Sequence, residues 1–315
     1  MHDPNLIAAD SLVPSAVPAE PESADASFTR RSWRQLRSEP LALLSAGMLV
    51  GLIAIAIGAP VFSQYITHYG PTQQDLSNTF QGPSHIHLLG TDELGRDTLT
   101  RLLYGARVSL GIGFLTVGIT LAIGVPVGLL AGYVGGVVDT VLMRFVDVAL
   151  AVPPIFLYIL MAILFRPDAV TLAFIIASIG WAPLARLVRA EALSLRSRDF
   201  MLATRAMGAG DTRLIVRHLL PNCLPVIVVA ATLRLGQVVL VEAALDFLGL
   251  GIQPPTPTWG NMLSNAEIYF SHSVWLVVLP GLAIFVTVIC ANLLGNALRD
   301  ASDPGYQRLI LGARP

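Results

Sequence analysis

The chain of 315 residues is too apolar for a soluble domain, because 54% of its residues are hydrophobic and only 13% are charged, about half the charged fraction of an average soluble protein. The formal net charge is −1, and all 20 basic residues are arginines. A P-loop and a Schiff-base enzyme each need a lysine, so this chain alone carries out neither chemistry. Composition therefore predicts an all-α polytopic membrane protein.

The two ends of the chain are predicted to lie outside the membrane. Residues 1–29 are rich in Ala, Pro, Ser and acidic residues, which predicts a disordered tail. Residues 30–40 form a basic juxtamembrane segment, and the transmembrane domain is predicted over 41–300, with a C-terminal tail at 301–315. The first apolar run begins too late and is too long for a cleaved signal peptide.

Hydropathy predicts six membrane-spanning helices, at residues 41–66, 107–132, 139–165, 169–190, 223–250 and 273–298. If the N-terminus is cytoplasmic, 15 arginines fall in inner segments or at the inner ends of spans, four fall in outer segments or at an outer end, and Arg234 lies deep inside a span. The positive-inside rule therefore predicts that both termini and the long loop 191–222 are cytoplasmic.

A helix cap is predicted in the outer segment before the second span. Asp97 is placed to cap a helix over Thr98–Ala106, which has a leucine-rich face and carries Arg101 on the other side. This pattern predicts an interfacial helix that either shapes an outer docking mouth or only anchors the second span. His85 and His87, together with His68, could bind a metal at this mouth, but they are expected to be ordinary exposed loop residues.

Small residues and prolines are predicted to shape the second and third spans. Gly124, Gly128 and Gly132 recur every four residues, a spacing that permits close helix–helix approach. Pro126 and the Pro153-Pro154 pair are expected to bend their helices.

The loop 191–222 begins with a short predicted helix. Arg198–Met207 has a helix-favouring composition, and Gly208 and Gly210 supply a C-terminal stop and a sharp turn. Its small residues predict a knob-like helix at the membrane face that can seat in the groove of a partner.

A second helix is predicted directly after this turn. Asp211 is placed as the N-cap of a helix over Thr212–Leu220. Pro221 and Pro225 are predicted to end this helix and redirect the chain into the fifth span.

We single out four ionisable residues within the predicted spans, where charge is costly and usually faces protein or water. They are Asp147, Arg234, Glu242 and Asp246. Glu242 and Arg234 are candidates for attracting the charged ends of a substrate. The favoured alternative is structural ion pairing, within the chain or with a second subunit, because Arg234 cannot lie unpaired in lipid.

The outer face offers a second group of candidates. Gly249–Trp259 is a proline-rich, semi-rigid loop that suits an outer gate or a docking surface. The residues assigned to this outer mouth are Asp92, Arg96, Asp97, Pro254, Pro255 and Trp259.

The loop 191–222 resembles the EAA signature of ABC-importer permeases. Gly208, followed by Leu220-Pro221, keeps the anchors of that signature, whereas Leu202, Thr204 and His218 replace its Glu, its second Ala and its Ile. Further stretches resemble the C-type permease subunit of dipeptide, oligopeptide and nickel ABC importers. These stretches are His87–Asp97, Tyr104–Leu110, Ala131–Asp139, Phe247–Pro255 and Asn292–Asp300.

This resemblance implies a type I ABC importer permease fold with six transmembrane helices and both termini cytoplasmic. It implies half of a heterodimeric pore for dipeptides or oligopeptides, in the bacterial plasma membrane. The implied partners are a second homologous permease subunit, two ATP-binding subunits that hold ATP and Mg²⁺, and an extracytoplasmic substrate-binding protein; no cofactor, metal or nucleic acid is expected on this chain. The implied ATPase-coupling residues are Leu202, Ala203, Thr204, Arg205, Ala206, Met207, Gly208, Ala209, Gly210 and Asp211.

Other functions stay open at this point. Nickel or another small solute is an alternative cargo within the same family. A gradient-driven secondary transporter would need several converging intramembrane carboxylates, and only Glu242 and Asp246 offer such a cluster. An intramembrane enzyme is disfavoured because no His-Glu-x-x-His or Gly-x-Ser-x-Gly motif is present.

Overall fold

The computed structural model describes residues 39–264 and 266–302, and every regular element in these ranges is helical. The predicted tail 1–29 lies outside the described residues, as do most of segments 30–40 and 301–315. The α-helices in chain order are α1 (Pro40–Phe62), α2 (Thr98–Val134), α3 (Gly136–Ala151), α4 (Pro154–Phe165), α5 (Ala169–Arg196), α6 (Asp199–Ala206), α7 (Asp211–Leu214), α8 (Leu220–Phe247), α9 (Ala266–Phe270) and α10 (Trp275–Ser302).

Five helical stretches of the described chain are long and apolar enough to cross a membrane: Pro40–Thr67, Thr98–Val134, Ala169–Arg196, Asp211–Phe247 and Trp275–Ala301. The predicted third span is instead two helices, α3 and α4, bent by 77°. Val152 between them is extended, with φ −99° and ψ 131°, because a residue before proline is pushed out of the helical region. With this bent pair counted as one span, the described ranges hold the six predicted spans.

The glycines of the second span bring α2 and α5 together, as their spacing predicts. A Cβ added at Gly128 would lie 2.6 Å from the Ala185 carbonyl oxygen, and one at Gly132 would lie 2.6 Å from the Ala192 Cβ. Such distances are far below van der Waals contact, so only glycine permits this approach of the two backbones.

The predicted interfacial helix over Thr98–Ala106 is not a separate element. It forms the first turns of α2, which runs unbroken from Thr98 to Val134. The Asp97 cap itself is confirmed, because the Asp97 carboxylate accepts the Thr100 N–H at 2.8 Å. No helix-breaking residue separates the two segments, so the capped turn simply continues into the span.

The prediction for the second helix of the loop is wrong in two respects. Asp211 is the first residue of α7, and Gly210 occupies the N-cap position. Pro221 and Pro225 do not end the helix, because α7 leads through a π-helical turn, Ile215–Leu219, directly into α8. Pro221 therefore lies inside one continuous helical stretch, Asp211–Phe247, two residues after the π-helical turn.

One apolar cluster joins the helices at the α6 end of the bundle. Its buried members come from α2, α5, α6, α7, the π turn and α8, and they include Leu129, Tyr133, Val188, Met201, Leu214, Leu219 and Cys223. Where these side chains lie within the membrane, close van der Waals packing stabilises the cluster, because lipid tails are as apolar as the side chains themselves. The short helix α6 is therefore held to the spans by Met201 rather than attached only through its two ends.

Candidate functional site

The short helix α6 stands at one end of the bundle with most of its surface free in this chain. Met201 is its one buried residue, whereas Leu202 is 54% exposed and the adjoining Met207 is 79% exposed. Gly208 has φ +85°, the left-handed conformation that glycine adopts without strain at a helix end. The helix predicted over 198–207 is thus present, and it carries an exposed apolar surface.

Polar contacts fix this helix to the end of α2. The Tyr133 hydroxyl donates to Asp211 Oδ1 at 2.5 Å, and Arg205 Nη2 donates to the Tyr133 oxygen at 2.8 Å. The Arg205 guanidinium also lies 5.5 Å from the centroid of the Tyr133 ring. The bond to Tyr133 raises the pKa of Arg205 above its ordinary value, so this residue stays charged. We call the three residues Tyr133, Arg205 and Asp211 the tyrosine clamp.

Two ion pairs join α3 to α5 near the same end. Arg189 binds both carboxylate oxygens of Asp139, with Nη2 2.5 Å from Oδ2. Asp147, one of the four predicted intramembrane charges, lies 2.7 Å from Arg186 and 3.6 Å from Arg144. Asp147 is therefore engaged in an ion pair in this chain.

At the opposite end, the segment before α2 is held by buried charges. Asp92 Oδ2 is 2.7 Å from Arg96 Nε and 3.2 Å from Arg101 Nε, and His87 Nδ1 is 3.0 Å from Asp97 Oδ1. These side chains are nearly all buried, so they fasten the segment to the bundle and present little surface to a partner. His87 is accordingly not an exposed loop residue.

The described residues hold no group of three or more His, Cys, Asp or Glu side chains that could bind a metal ion.

The proline-rich loop Gly249–Trp259 is attached to the helices by buried and partly buried hydrogen bonds. Asp246 accepts the Ile252 N–H at 2.6 Å and the hydroxyl of Thr258. The Trp259 indole is buried and donates to the Leu102 carbonyl at 3.1 Å. Pro254 and Pro255 stay exposed, so they are the part of the predicted outer mouth that a docking partner can reach.

The predicted candidate Glu242 lies beneath this anchor. It is fully buried, and its Oε1 accepts the Ser109 hydroxyl at 2.9 Å. The Ser109 oxygen in turn accepts the Trp259 N–H at 3.2 Å. Glu242 and Asp246 therefore both serve the attachment of the loop to α2 and α8.

Arg234 is paired with neither carboxylate, so of the two predicted kinds of ion pairing the one within the chain is not found among the described residues, and pairing with a second subunit stays a prediction. Its Nη1 donates to Gln237 at 3.2 Å, and no ion pair of Arg234 occurs in the described part of the chain. Arg234 and Glu242 are eight residues apart on one helix, which corresponds to a rise of about 12 Å. That separation is too large for a direct contact between the two side chains.

Several residues of these networks were missed at the sequence level. Tyr133, Ser109 and Thr258 are ordinary residues in apolar or loop segments, and no charge marks them. The sequence holds one signal that Tyr133 lies at a helix–helix contact. Tyr133 directly follows Gly132, the last member of the glycine series along which α2 packs on α5.

The sequence matches two described protein families. Residues 124–308 match the family described as binding-protein-dependent transport system inner membrane component, and residues 27–83 match the N-terminal TM domain of oligopeptide transport permease C. The chain belongs to the binding-protein-dependent transport permease family. The permease is therefore a multi-pass inner-membrane protein of the C type, as the sequence motifs predict.

Individual relatives of the permease cover nearly its whole length. The dipeptide transport system permease protein DppC of Alkalihalophilus pseudofirmus is 40% identical over 291 residues, which are 92% of this chain and 94% of the relative. The glutathione transport system permease protein GsiD of Escherichia coli is 41% identical over 273 residues, which are 86% of this chain and 89% of the relative.

A solved structure gives the fold. The inward-facing MetNI methionine ABC transporter contains a chain that aligns with a TM-score of 0.51 and 21% identity, over 64% of the permease and 97% of that chain. This similarity confirms the ABC importer permease fold.

Proposed function

We propose that the permease forms one half of a heterodimeric pore that imports short peptides, driven by ATP hydrolysis on partner subunits. The observation that carries this proposal is the geometry of α6, an exposed helix clamped to the spans. A partner that binds the exposed side chains of Leu202 and Met207 would displace α6. That displacement would be transmitted to α2, α5 and α8 through the packing of Met201 and through the tyrosine clamp.

The arginine distribution supports a cytoplasmic position for α6 and for both termini. Most arginines lie in the segments on the α6 side of the spans. A cytoplasmic α6 faces the compartment that supplies ATP. ATP and Mg²⁺ are held by two ATP-binding subunits, since this chain has no lysine for a P-loop.

The opposite end of the permease receives an extracytoplasmic substrate-binding protein. Pro254 and Pro255 are exposed there, on a loop that Asp246 and Trp259 fix to the bundle. A rigid, exposed loop loses little conformational entropy on docking, which suits a surface that binds and releases a partner in every cycle.

Short peptides are the substrate class that the relatives support best. Relatives at about 40% identity over most of the chain are named for dipeptide, di/tripeptide and glutathione transport. All three names describe small peptides with at least one free carboxylate.

The coupling role of α6 is tested by placing a charge at its turn. In complexes reconstituted with ATP-binding subunits, substrate-binding protein and a second permease, Gly208→Asp is expected to retain ATP hydrolysis and lose most dipeptide uptake. The matched control is Gly136→Asp, because Gly136 is also exposed, has φ +57° and has open space at the Cβ position. An equal ratio of dipeptide uptake to ATP hydrolysis in the two variants would contradict a docking role for α6.

A further inference from the structure

A cavity of about 430 Å³ lies between α2, α5 and α8, near the middle of each helix. Its walls are mainly aliphatic, and its polar side chains are Thr120, Arg234 and Gln237. The volume falls in the range of about 300–1,000 Å³ that is usual for small-molecule sites, which combine apolar walls with a few placed polar groups. The cavity thus has the size and composition of a ligand site.

Arg234 enters this cavity without an anionic partner. Apart from the bond to Gln237, the guanidinium has a buried Nε atom that no acceptor reaches within the described ranges. The Thr120 hydroxyl, on a residue only 2% exposed, likewise lacks a hydrogen-bond partner there. Two polar groups on facing helices are therefore buried beside the same space with hydrogen bonds unmade.

Gly180 provides the room in which these two groups meet. A Cβ added at Gly180 would clash with Arg234 Nη2 and would lie 3.3 Å from its Cζ and 3.4 Å from the Thr120 Oγ1. The guanidinium therefore lies directly against the backbone of α5, beside the threonine. This arrangement needs glycine at position 180 for space alone, since its backbone is ordinary helix.

An arginine at this depth requires an anion. Arginine stays charged in proteins, and an uncompensated charge near the middle of a membrane-spanning helix is strongly unfavourable. A carboxylate is the best match, because the planar guanidinium presents parallel N–H donors that fit its two oxygens. The Thr120 hydroxyl adds a further donor on the same side.

We propose that Arg234 and Thr120 receive the C-terminal carboxylate of the transported peptide, in the space that Gly180 leaves open. The proposal rests on the proposed function and names the chemical group that the pore recognises. The aliphatic walls then take up peptide side chains with little selectivity, while the carboxylate fixes the orientation of the peptide. Free carboxylate is accordingly a requirement of the pore itself, in addition to any requirement of the binding protein.

The test compares a dipeptide with its C-terminal amide in reconstituted complexes, both at concentrations that saturate the binding protein. The variants are Arg234→Gln, Thr120→Val and Gly180→Ala, and the control is Thr232→Val, whose hydroxyl only bonds the Val228 carbonyl of its own helix. Subunit composition and ATP hydrolysis stimulated by the loaded binding protein are measured beside ATP-driven uptake. These readouts separate a loss of assembly from a loss of recognition.

We expect Arg234→Gln to lower uptake of the free dipeptide about tenfold to hundredfold, the effect of losing a hydrogen bond to a charged group. Uptake of the amide should stay at the wild-type level, and subunit composition should not change. Gly180→Ala should behave in the same way because it displaces the guanidinium. Thr120→Val should have a smaller effect, and Thr232→Val none.

Three results would overturn the inference. They are unchanged dipeptide uptake in Arg234→Gln, an equal loss for the dipeptide and its amide, and loss of the second permease from the Arg234→Gln complex, which would assign Arg234 to an ion pair between subunits. If the wild-type complex imports no dipeptide at all, the proposed function fails together with the inference, and that failure is visible without any variant.

Discussion

Single residues decide how closely the spans of the permease approach one another. The glycine series of α2 is read directly from the sequence, because a spacing of four residues places the members on one helix face. The neighbours at Gly128 are backbone and Cβ atoms of α5, which cannot rotate away as the end of a flexible side chain can. The packing of this seam is therefore set by the absence of a single methyl group at each glycine.

Gly128→Ala is expected to destabilise the permease by about 1–3 kcal/mol, the usual cost of forcing additional atoms into a packed interface. The added Cβ would lie 2.6 Å from the Ala185 oxygen and 2.7 Å from the Val188 Cβ. Thermal unfolding of the purified protein in mild detergent measures this loss as a lower midpoint.

Gly111→Ala on the same helix is the matched control, because no atom lies within 4 Å of the added Cβ. This variant should be as stable as the wild type or slightly more stable, since alanine is the better helix former. Equal unfolding midpoints for the two variants would show that the α2–α5 interface accommodates the added methyl group without loss of stability.

The polar residues of the spans were less predictable than the glycines. Sequence identifies Arg234, Glu242 and Asp246 as costly charges, but the partner of each depends on which helix faces it. Asp246 and Glu242 turned out to hold the proline-rich loop through Thr258 and Ser109. Uncharged serines and threonines give no signal in a hydropathy pattern, so these partners become visible only in three dimensions.

At the scale of elements, local signals located α6 well and failed for the helix that follows. The short helix was predicted over 198–207 and is observed at Asp199–Ala206, because helix-favouring residues are followed by a glycine stop. The sequence predicts a helix end at Pro221, whereas α8 continues past this residue. Leu214, directly before the π turn, and Leu219, the last residue of that turn, pack into the core and hold this helix together. Local propensity contains no information about this packing.

Tyr133→Phe is expected to weaken the link between α6 and the spans without unfolding the protein. The variant loses the hydroxyl that bridges Asp211 and Arg205 but keeps the buried ring. Because a hydrogen bond contributes a net 0.5–1.5 kcal/mol or so, transport per ATP hydrolysed should fall by about two- to tenfold in reconstituted complexes.

Tyr158→Phe is the control for this change, since Tyr158 is buried in a different apolar cluster, away from the clamp. It should transport as the wild type does. A Tyr133→Phe variant with unchanged transport per ATP would mean that the tyrosine clamp carries no part of the motion.

Ala203→Arg is expected to reduce binding of the ATP-binding subunits to the permease. Ala203 lies on the exposed side of α6, and a long charged side chain there would prevent close approach of a partner surface. The fraction of ATP-binding subunit that co-purifies with the permease measures the effect, with Ala203→Ser as the control of nearly equal size. Normal co-purification of the arginine variant would assign the main contact to another loop.

At the scale of the whole molecule, the number of spans followed from hydropathy and the family followed from its motifs. The bend between α3 and α4 was expected from Pro153-Pro154, although its size of 77° was not, because proline removes a hydrogen bond without fixing the angle that results. The arginine distribution and the exposed helix α6 support the assignment of one end of the bundle to the ATP-binding subunits and of the other end to the substrate-binding protein. The central claim is that this chain works only together with a second permease and ATP-binding subunits.

Purification of the tagged chain from its native membrane in mild detergent, with mass spectrometry of the bound proteins, tests that claim most directly. The account predicts a second, homologous six-span permease and P-loop ATP-binding subunits in stable association with this chain. A chain that purifies alone or as a homodimer, with no ATP-binding subunit, would contradict the account and favour a transporter driven by an ion gradient.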